Sequence, residues 1–135
     1  MASITGGCLC GRVRWEATGD PAFSGVCHCR DCQRNSGSAF GAFAAFPAAN
    51  VAMKGELKTY EDKGDSGLPV HRRFCPNCGS GVARELDAVP GMIALLAGGF
   101  DDPAEFKPGM ELYWSAAQPW MQAGGERTRF AKMPG

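Results

Sequence analysis

Seven cysteines fall into three tight groups, Cys8-x-Cys10, Cys27-x-Cys29-x-x-Cys32 and Cys75-x-x-Cys78, so any fold of this chain has to manage concentrated sulfur. Four thiolates from the first and last groups suffice for a tetrahedral Zn²⁺ site. The three of the middle group leave one coordination position to something else. A closed zinc holds a fold; an open zinc can do chemistry.

A disulfide framework is the competing reading, and spacing argues against it. Cysteines one residue apart in an extended segment point to opposite faces, so pairing within Cys8/Cys10 or Cys27/Cys29 needs a strained loop. Seven is also an odd number, and the first seven residues show neither a basic flank nor an apolar run suited to export. The expectation is a reducing, cytoplasmic setting, where clustered cysteines serve as metal ligands or redox groups.

Length and composition fit one domain spanning residues 1–135, with 44% hydrophobic residues to supply a core. The most apolar stretch, Met92 to Leu96, is broken by Ala97-Gly98-Gly99 and falls far short of a membrane span. Net formal charge is zero with neutral thiols, and metallated thiolates make it negative. That balance provides no basic footprint for nucleic acid and no sign of a membrane partner.

The pattern predicts a mainly β domain of short antiparallel strands with little helix. Val13, Trp15 and Ala17 alternate with Arg12, Arg14, Glu16 and Thr18, which puts apolar and charged sets on opposite sheet faces. Phe40 to Phe46, Leu57 to Glu61, Val70 to Phe74, Met92 to Leu96 and Glu111 to Ser115 read as further strands. Nineteen glycines and nine prolines punctuate them, and only Arg30 to Ser36 reads as a helical turn. Trp15, Phe40, Phe43 and Phe46 read as core, as do Trp114 and Trp120, although the last two can also edge a cleft. The run from Glu61 to Gly67 reads as a solvated hairpin loop.

In Phe74-Cys75-Pro76-Asn77-Cys78-Gly79 the two sulfurs sit at a sharp turn that Pro76 restricts and Gly79 completes. Cys8 and Cys10 supply the two ligands this turn lacks. Such a site cross-links distant parts of the chain, and structural zinc contributes on the order of 10 kcal/mol or more to folding. Tetrahedral sulfur also accommodates iron. In the middle group, three thiolates make zinc electron-rich and a good holder of another soft ligand such as an incoming thiol. The bland alternative is a second stabilising zinc completed by His28, water or a distant side chain. His28 lies between two cysteines and points away from the metal if the segment is extended.

At these residues the chain resembles a known family. Gly7-Cys8-Leu9-Cys10-Gly11-x-Val13, Cys27-His28-Cys29-x-Asp31-Cys32-Gln33-Arg34-x-Ser36-Gly37, Arg73-Phe74-Cys75-Pro76-x-Cys78-Gly79-Ser80, Gly98-Gly99-Phe100-Asp101-Asp102-Pro103 and Pro119-Trp120 look like the glutathione-dependent formaldehyde-activating enzyme family, which includes centromere protein V. The match runs from about residue 6 to 121. It implies an Mss4-like fold with two zinc ions per chain, one structural on Cys8, Cys10, Cys75 and Cys78, the other catalytic on Cys27, Cys29 and Cys32. It also implies a carbon–sulfur lyase whose small-molecule partners are a thiol such as glutathione and formaldehyde or another small aldehyde.

Candidate proton donors for that chemistry are His28, Tyr60 and His71, and Arg30 and Arg34 can hold a substrate carboxylate. Two other classes stand beside it. One is a noncatalytic zinc module that binds a protein partner. The other is a methionine sulfoxide reductase, which needs a redox cysteine outside its zinc site, whereas here the spare cysteines all sit in one ligand-like cluster.

Overall fold

The computed structural model describes residues 2–123 and 125–134. It is mainly β, with 42% of residues in strands and one α-helix. Strands β1 (Ser3–Gly7), β2 (Arg14–Thr18) and β5 (Val51–Lys54) form a three-stranded antiparallel sheet in the order β1-β2-β5. An eight-stranded sheet takes β3 (Phe23–Cys27), β4 (Gly41–Pro47), β6 (Lys58–Lys63), β7 (Pro69–Phe74), β8 (Gly81–Leu86), β9 (Met92–Leu96), β10 (Met110–Leu112) and β11 (Thr128–Arg129). Its order is β11-β10-β3-β4-β9-β8-β7-β6. The helix α1 (Arg30–Ser36) follows β3 directly.

The predicted helix and the strands at residues 14–18, 70–74 and 92–96 form where the pattern puts them. Glu111 to Ser115 does not stay extended: β10 ends at Leu112, Tyr113 turns to φ 54°, and Trp114–Ala116 is a 3₁₀ turn. Antiparallel pairing dominates, but β10 runs parallel to both β3 and β11. The larger sheet is thus mixed, and its parallel edge carries the C-terminal segment onto β3.

Strand β4 sorts the interior because successive side chains leave opposite faces. Ala44 and Phe46 join Val13, Trp15, Ala17, Ile93, Leu95 and Phe100 between the two sheets, while Phe43 and Ala45 join Cys27, Cys32, Ala94 and Leu112 on the other face. Phe46 and Leu95 are fully buried, each contributing about 1.5–3 kcal/mol. The expected single aromatic core is therefore divided. Trp15 packs edge-on against Phe100, whereas Phe40 is half-buried against the His28 ring. Trp120 lies exposed, whereas Phe130 further along the same segment packs on the second cluster. Among the described residues, no helix is long and apolar enough to cross a membrane.

Candidate metal centre

Two hairpin turns meet to form the first sulfur cluster. Cys8 and Cys10 lie in the turn from β1 to β2, Cys75 and Cys78 in the turn from β7 to β8, and their four sulfurs lie within 4.8 Å of one another. Cys8 Sγ is 3.6 Å from Cys10 Sγ, and Cys10 Sγ is 3.8 Å from Cys75 Sγ. A tetrahedron with metal–sulfur arms of 2.3 Å has edges of about 3.8 Å, so the spacing fits a zinc-sized ion.

The surrounding backbone prepares these sulfurs for negative charge. The Val13 amide donates to Cys8 Sγ at 3.2 Å, and the Ser80 hydroxyl lies 3.2 Å from Cys78 Sγ. That hydroxyl, aided by the Ser80 and Cys10 backbone, brings the Cys78 thiol down to about 5. Gly79 adopts φ 78°, which a side chain would disfavour, and its amide returns to the Cys75 carbonyl at 2.9 Å. Cys75 is buried in the inter-sheet core while Cys10 faces solvent.

The second cluster is local in sequence. Cys27 ends β3, Cys29 caps α1, and Cys32 sits in the first turn of that helix, with the three sulfurs within 4.8 Å of one another. The Cys32 amide donates to Cys29 Sγ at 3.2 Å. Hydrogen bonds from Cys27 and Cys29, with the positive charge of Arg84 and Arg72 behind them, hold the Cys32 thiol far below its ordinary range despite burial. Contacts with Cys29 and Cys32, followed by burial, push Cys27 far up. Three soft donors converging from one turn fit a thiophilic ion, and among the described residues no fourth Cys, His, Asp or Glu joins them.

His28 is fully buried and does not turn towards the sulfurs as a ligand. Its Nε2 pairs with Glu111 Oε1 at 2.8 Å, and its ring packs edge-on against Phe40 and Trp114. Glu111 also receives Arg127 at 3.3 Å and Arg129 at 2.8 Å. Tyr60 lies exposed on the edge strand β6. His71 is held between Glu61 and Asp87 at 2.6 and 2.9 Å. Neither residue joins either cluster. Arg30 donates to Gln33 Oε1, and Arg34 lies exposed in the last turn of α1.

Gln33 of the motif, with Arg84 and Tyr113 outside it, supports the trio. Gln33 donates to the carbonyls of His28 and Ala116 at 2.7 and 3.1 Å, tying α1 to the cluster turn and to the C-terminal segment. Arg84 Nη1 donates to Cys32 Sγ at 2.9 Å. Tyr113 packs against the same apolar cluster, and its hydroxyl donates to Asp65 Oδ2 at 2.7 Å. The hairpin loop carrying Asp65 is thus exposed but fastened. Burial first, then Asp65 and the nearby cysteines, push the Tyr113 hydroxyl well above its usual range.

A mainly β fold that gathers one sulfur quartet and one sulfur trio defines a cysteine-cluster domain with two places suited to a metal ion. The family model for the glutathione-dependent formaldehyde-activating enzyme matches residues 3–116, and the chain belongs to that family. In structure it is similar to a Rhodobacter sphaeroides protein solved by crystallography as a structural genomics target. The two share 19% identity with a TM-score of 0.59, covering 75% of this chain and 93% of that one, a likeness of fold. No curated protein matches the chain.

Proposed function

We propose that residues 1–135 form a single zinc-dependent carbon–sulfur lyase domain that adds glutathione or another small thiol to formaldehyde or a small aldehyde, giving an S-hydroxymethyl adduct. The observation that carries this reading is the trio of Cys27, Cys29 and Cys32, which converges without a fourth protein ligand among the described residues. Membership of the family supplies the reaction class. Cys8, Cys10, Cys75 and Cys78 hold a structural zinc in this reading, and the trio holds the catalytic one. Seven free cysteines favour a reducing compartment such as the cytoplasm.

Zinc on the trio supplies stabilisation of a thiolate near neutral pH. The residues of the chain do the rest. Cys27, Cys29 and Cys32 fix where the reacting sulfur sits; the buried His28–Glu111 pair locks the turn that carries two of them. In the addition, the thiol gives up its proton, a carbon–sulfur bond forms at the aldehyde carbon, and the carbonyl π pair moves to oxygen, which takes a proton back. Thiol addition to formaldehyde proceeds unaided, so most of the gain comes from proximity and thiolate supply.

Metal analysis joined to substrate turnover tests the reading. The wild-type chain is expected to hold two zinc ions and to accelerate adduct formation; Cys32→Ser is expected to keep the fold and one zinc while losing turnover. A metal-loaded wild type with no thiol-dependent reaction would instead make the domain a noncatalytic module for a protein partner.

A further inference from the structure

Arg72 on β7 and Arg84 on β8 are direct partners across the antiparallel ladder, and each is only 7% exposed. Like charges directly opposed across strands are destabilising, and burial removes the water that would screen them. Each guanidinium therefore needs an anion. Arg72 Nε finds Asp62 Oδ2 at 3.0 Å, which neutralises much of its charge, although it also faces Cys32. Arg84 has no carboxylate among the described residues; its Nη1 donates to Cys32 Sγ, and its guanidinium lies 5.9 Å from the centroid of the Phe43 ring.

The packing makes room for this contact. At Gly41, a Cβ would lie 2.9 Å from Arg84 Nη2 and 3.3 Å from Cys32 Cβ, so a side chain there would press on the guanidinium and the ligand together. A divalent ion held by three thiolates carries one excess negative charge. With Arg72 shared with Asp62, the Arg84 guanidinium is the charge left to offset it, and its hydrogen bond draws density from the sulfur it touches. Without that offset, a further anion at the ion would meet net repulsion in a poorly solvated place.

We propose that Arg84 is a positioning residue of the trio, whose charge and hydrogen bond at Cys32 let the ion held there accept an anionic fourth ligand of the thiolate class in preference to a neutral one. The proposal rests on the reading that Cys27, Cys29 and Cys32 hold a metal open to a thiol. It adds a determinant of which ligand chemistry that metal takes.

The test uses the full chain loaded with cobalt(II), whose spectrum reports sulfur ligation, as wild type, Arg84→Met and Arg84→Gln. Each is titrated with 2-mercaptoethanol and separately with imidazole. Outer-shell partners typically alter such sites by 10–100-fold. Arg84→Met is accordingly expected to weaken thiol binding by about 10-fold or more while leaving imidazole binding unchanged. Equal affinity for the thiol in wild type and variant, or equal loss for both ligands, overturns the proposal.

If Arg84→Met does not fold, Arg84→Gln decides, because glutamine keeps a donor and the polar shape while removing the charge. A reduced preference for thiol over imidazole supports the assignment, and an unchanged preference overturns it. A wild type whose cobalt spectrum ignores added thiol would sink the thiol-taking reading itself. Arg84 is then judged on the thiol-free spectrum: a shifted sulfur-to-cobalt charge-transfer band in the variant supports the contact with Cys32, and superimposable bands overturn it.

Discussion

His28 Nε2 lies 2.8 Å from Glu111 Oε1, in a contact joining residues 83 positions apart that solvent does not reach. Because Arg127 and Arg129 converge on the same carboxylate, Glu111 balances three nitrogen-bearing groups at once. Glu111→Ala leaves them facing one another and is expected to cost about 3–5 kcal/mol, the usual range for breaking a buried pair. Glu111→Gln, which keeps the shape and one acceptor, is expected to cost about 1–3 kcal/mol. Urea denaturation checks both; the midpoint should fall with little change in slope.

Cys78→Ser removes one corner of the quartet in which the β1–β2 and β7–β8 turns meet. The variant is expected to lose its tightly held metal and either unfold or aggregate. A soluble Cys78→Ser protein with native circular dichroism, lacking a single zinc, would contradict the structural role of the quartet.

Two surface groups set opposite pH limbs of stability. Asp87 first, then Glu61, raise His71 above its ordinary 6.5. Its contribution is therefore complete below about pH 6.5 and disappears as pH rises through the raised folded value. Arg14 and Thr5 lower Asp101 from 3.8 to about 2. That contribution is present above pH 3.8 and is lost as pH falls towards 2. His71→Gln should flatten the limb above pH 6.5 and Asp101→Asn the limb below pH 3.8, as read from thermal midpoints across pH.

The hydroxyl of Tyr113 is the tether of the β6–β7 loop through Asp65. Tyr113→Phe and Asp65→Asn should each cost about 0.5–1.5 kcal/mol. The Gly64 and Gly67 amides, which donate within that loop to Leu68 and Gly64, should exchange with deuterium faster in both variants. Unchanged exchange at these two amides would show that the tether does not order the loop.

Gly41→Ala forces a methyl group against Arg84 Nη2 and Cys32 Cβ. Overpacking of this kind costs about 1–3 kcal/mol. The trio should bind metal more weakly while the quartet keeps its own, a split that competition with a chelator resolves into two affinities.

Sequence alone discloses the trio and the Cys75–Cys78 knuckle, because each fits within one bend; the union of the knuckle with Cys8 and Cys10 follows from counting four ligands, and the structure brings these sulfurs together. Helix α1 and strands β2, β7 and β9 are legible for the same reason, their periodicity being carried by their own residues. The supports of the trio are not. Arg72 and Arg84 occupy the inward phase of strands whose other inward members include Val70 and Val82, and a charge at an apolar position is the one signal that could have flagged them. Their opposition to each other and to Cys32 depends on strand register and on the packing of α1, which the local pattern does not encode. Glu111 and Tyr113 are not legible as supports because the predicted strand continues through Ser115, whereas the left-handed turn at Tyr113 ends β10 and brings Ala116 to Gln33 of α1.

The division of sulfur between one short turn and two distant hairpins also dictates an order of assembly. As the polypeptide emerges during synthesis, the trio has all its donors once residue 32 is made, while the quartet waits for residue 78. Cys8 and Cys10 therefore spend most of that interval as an unfinished half-site. The quartet that bridges the two sheets can close only after the trio has all its sulfurs, yet before strands β8 to β11 have been made.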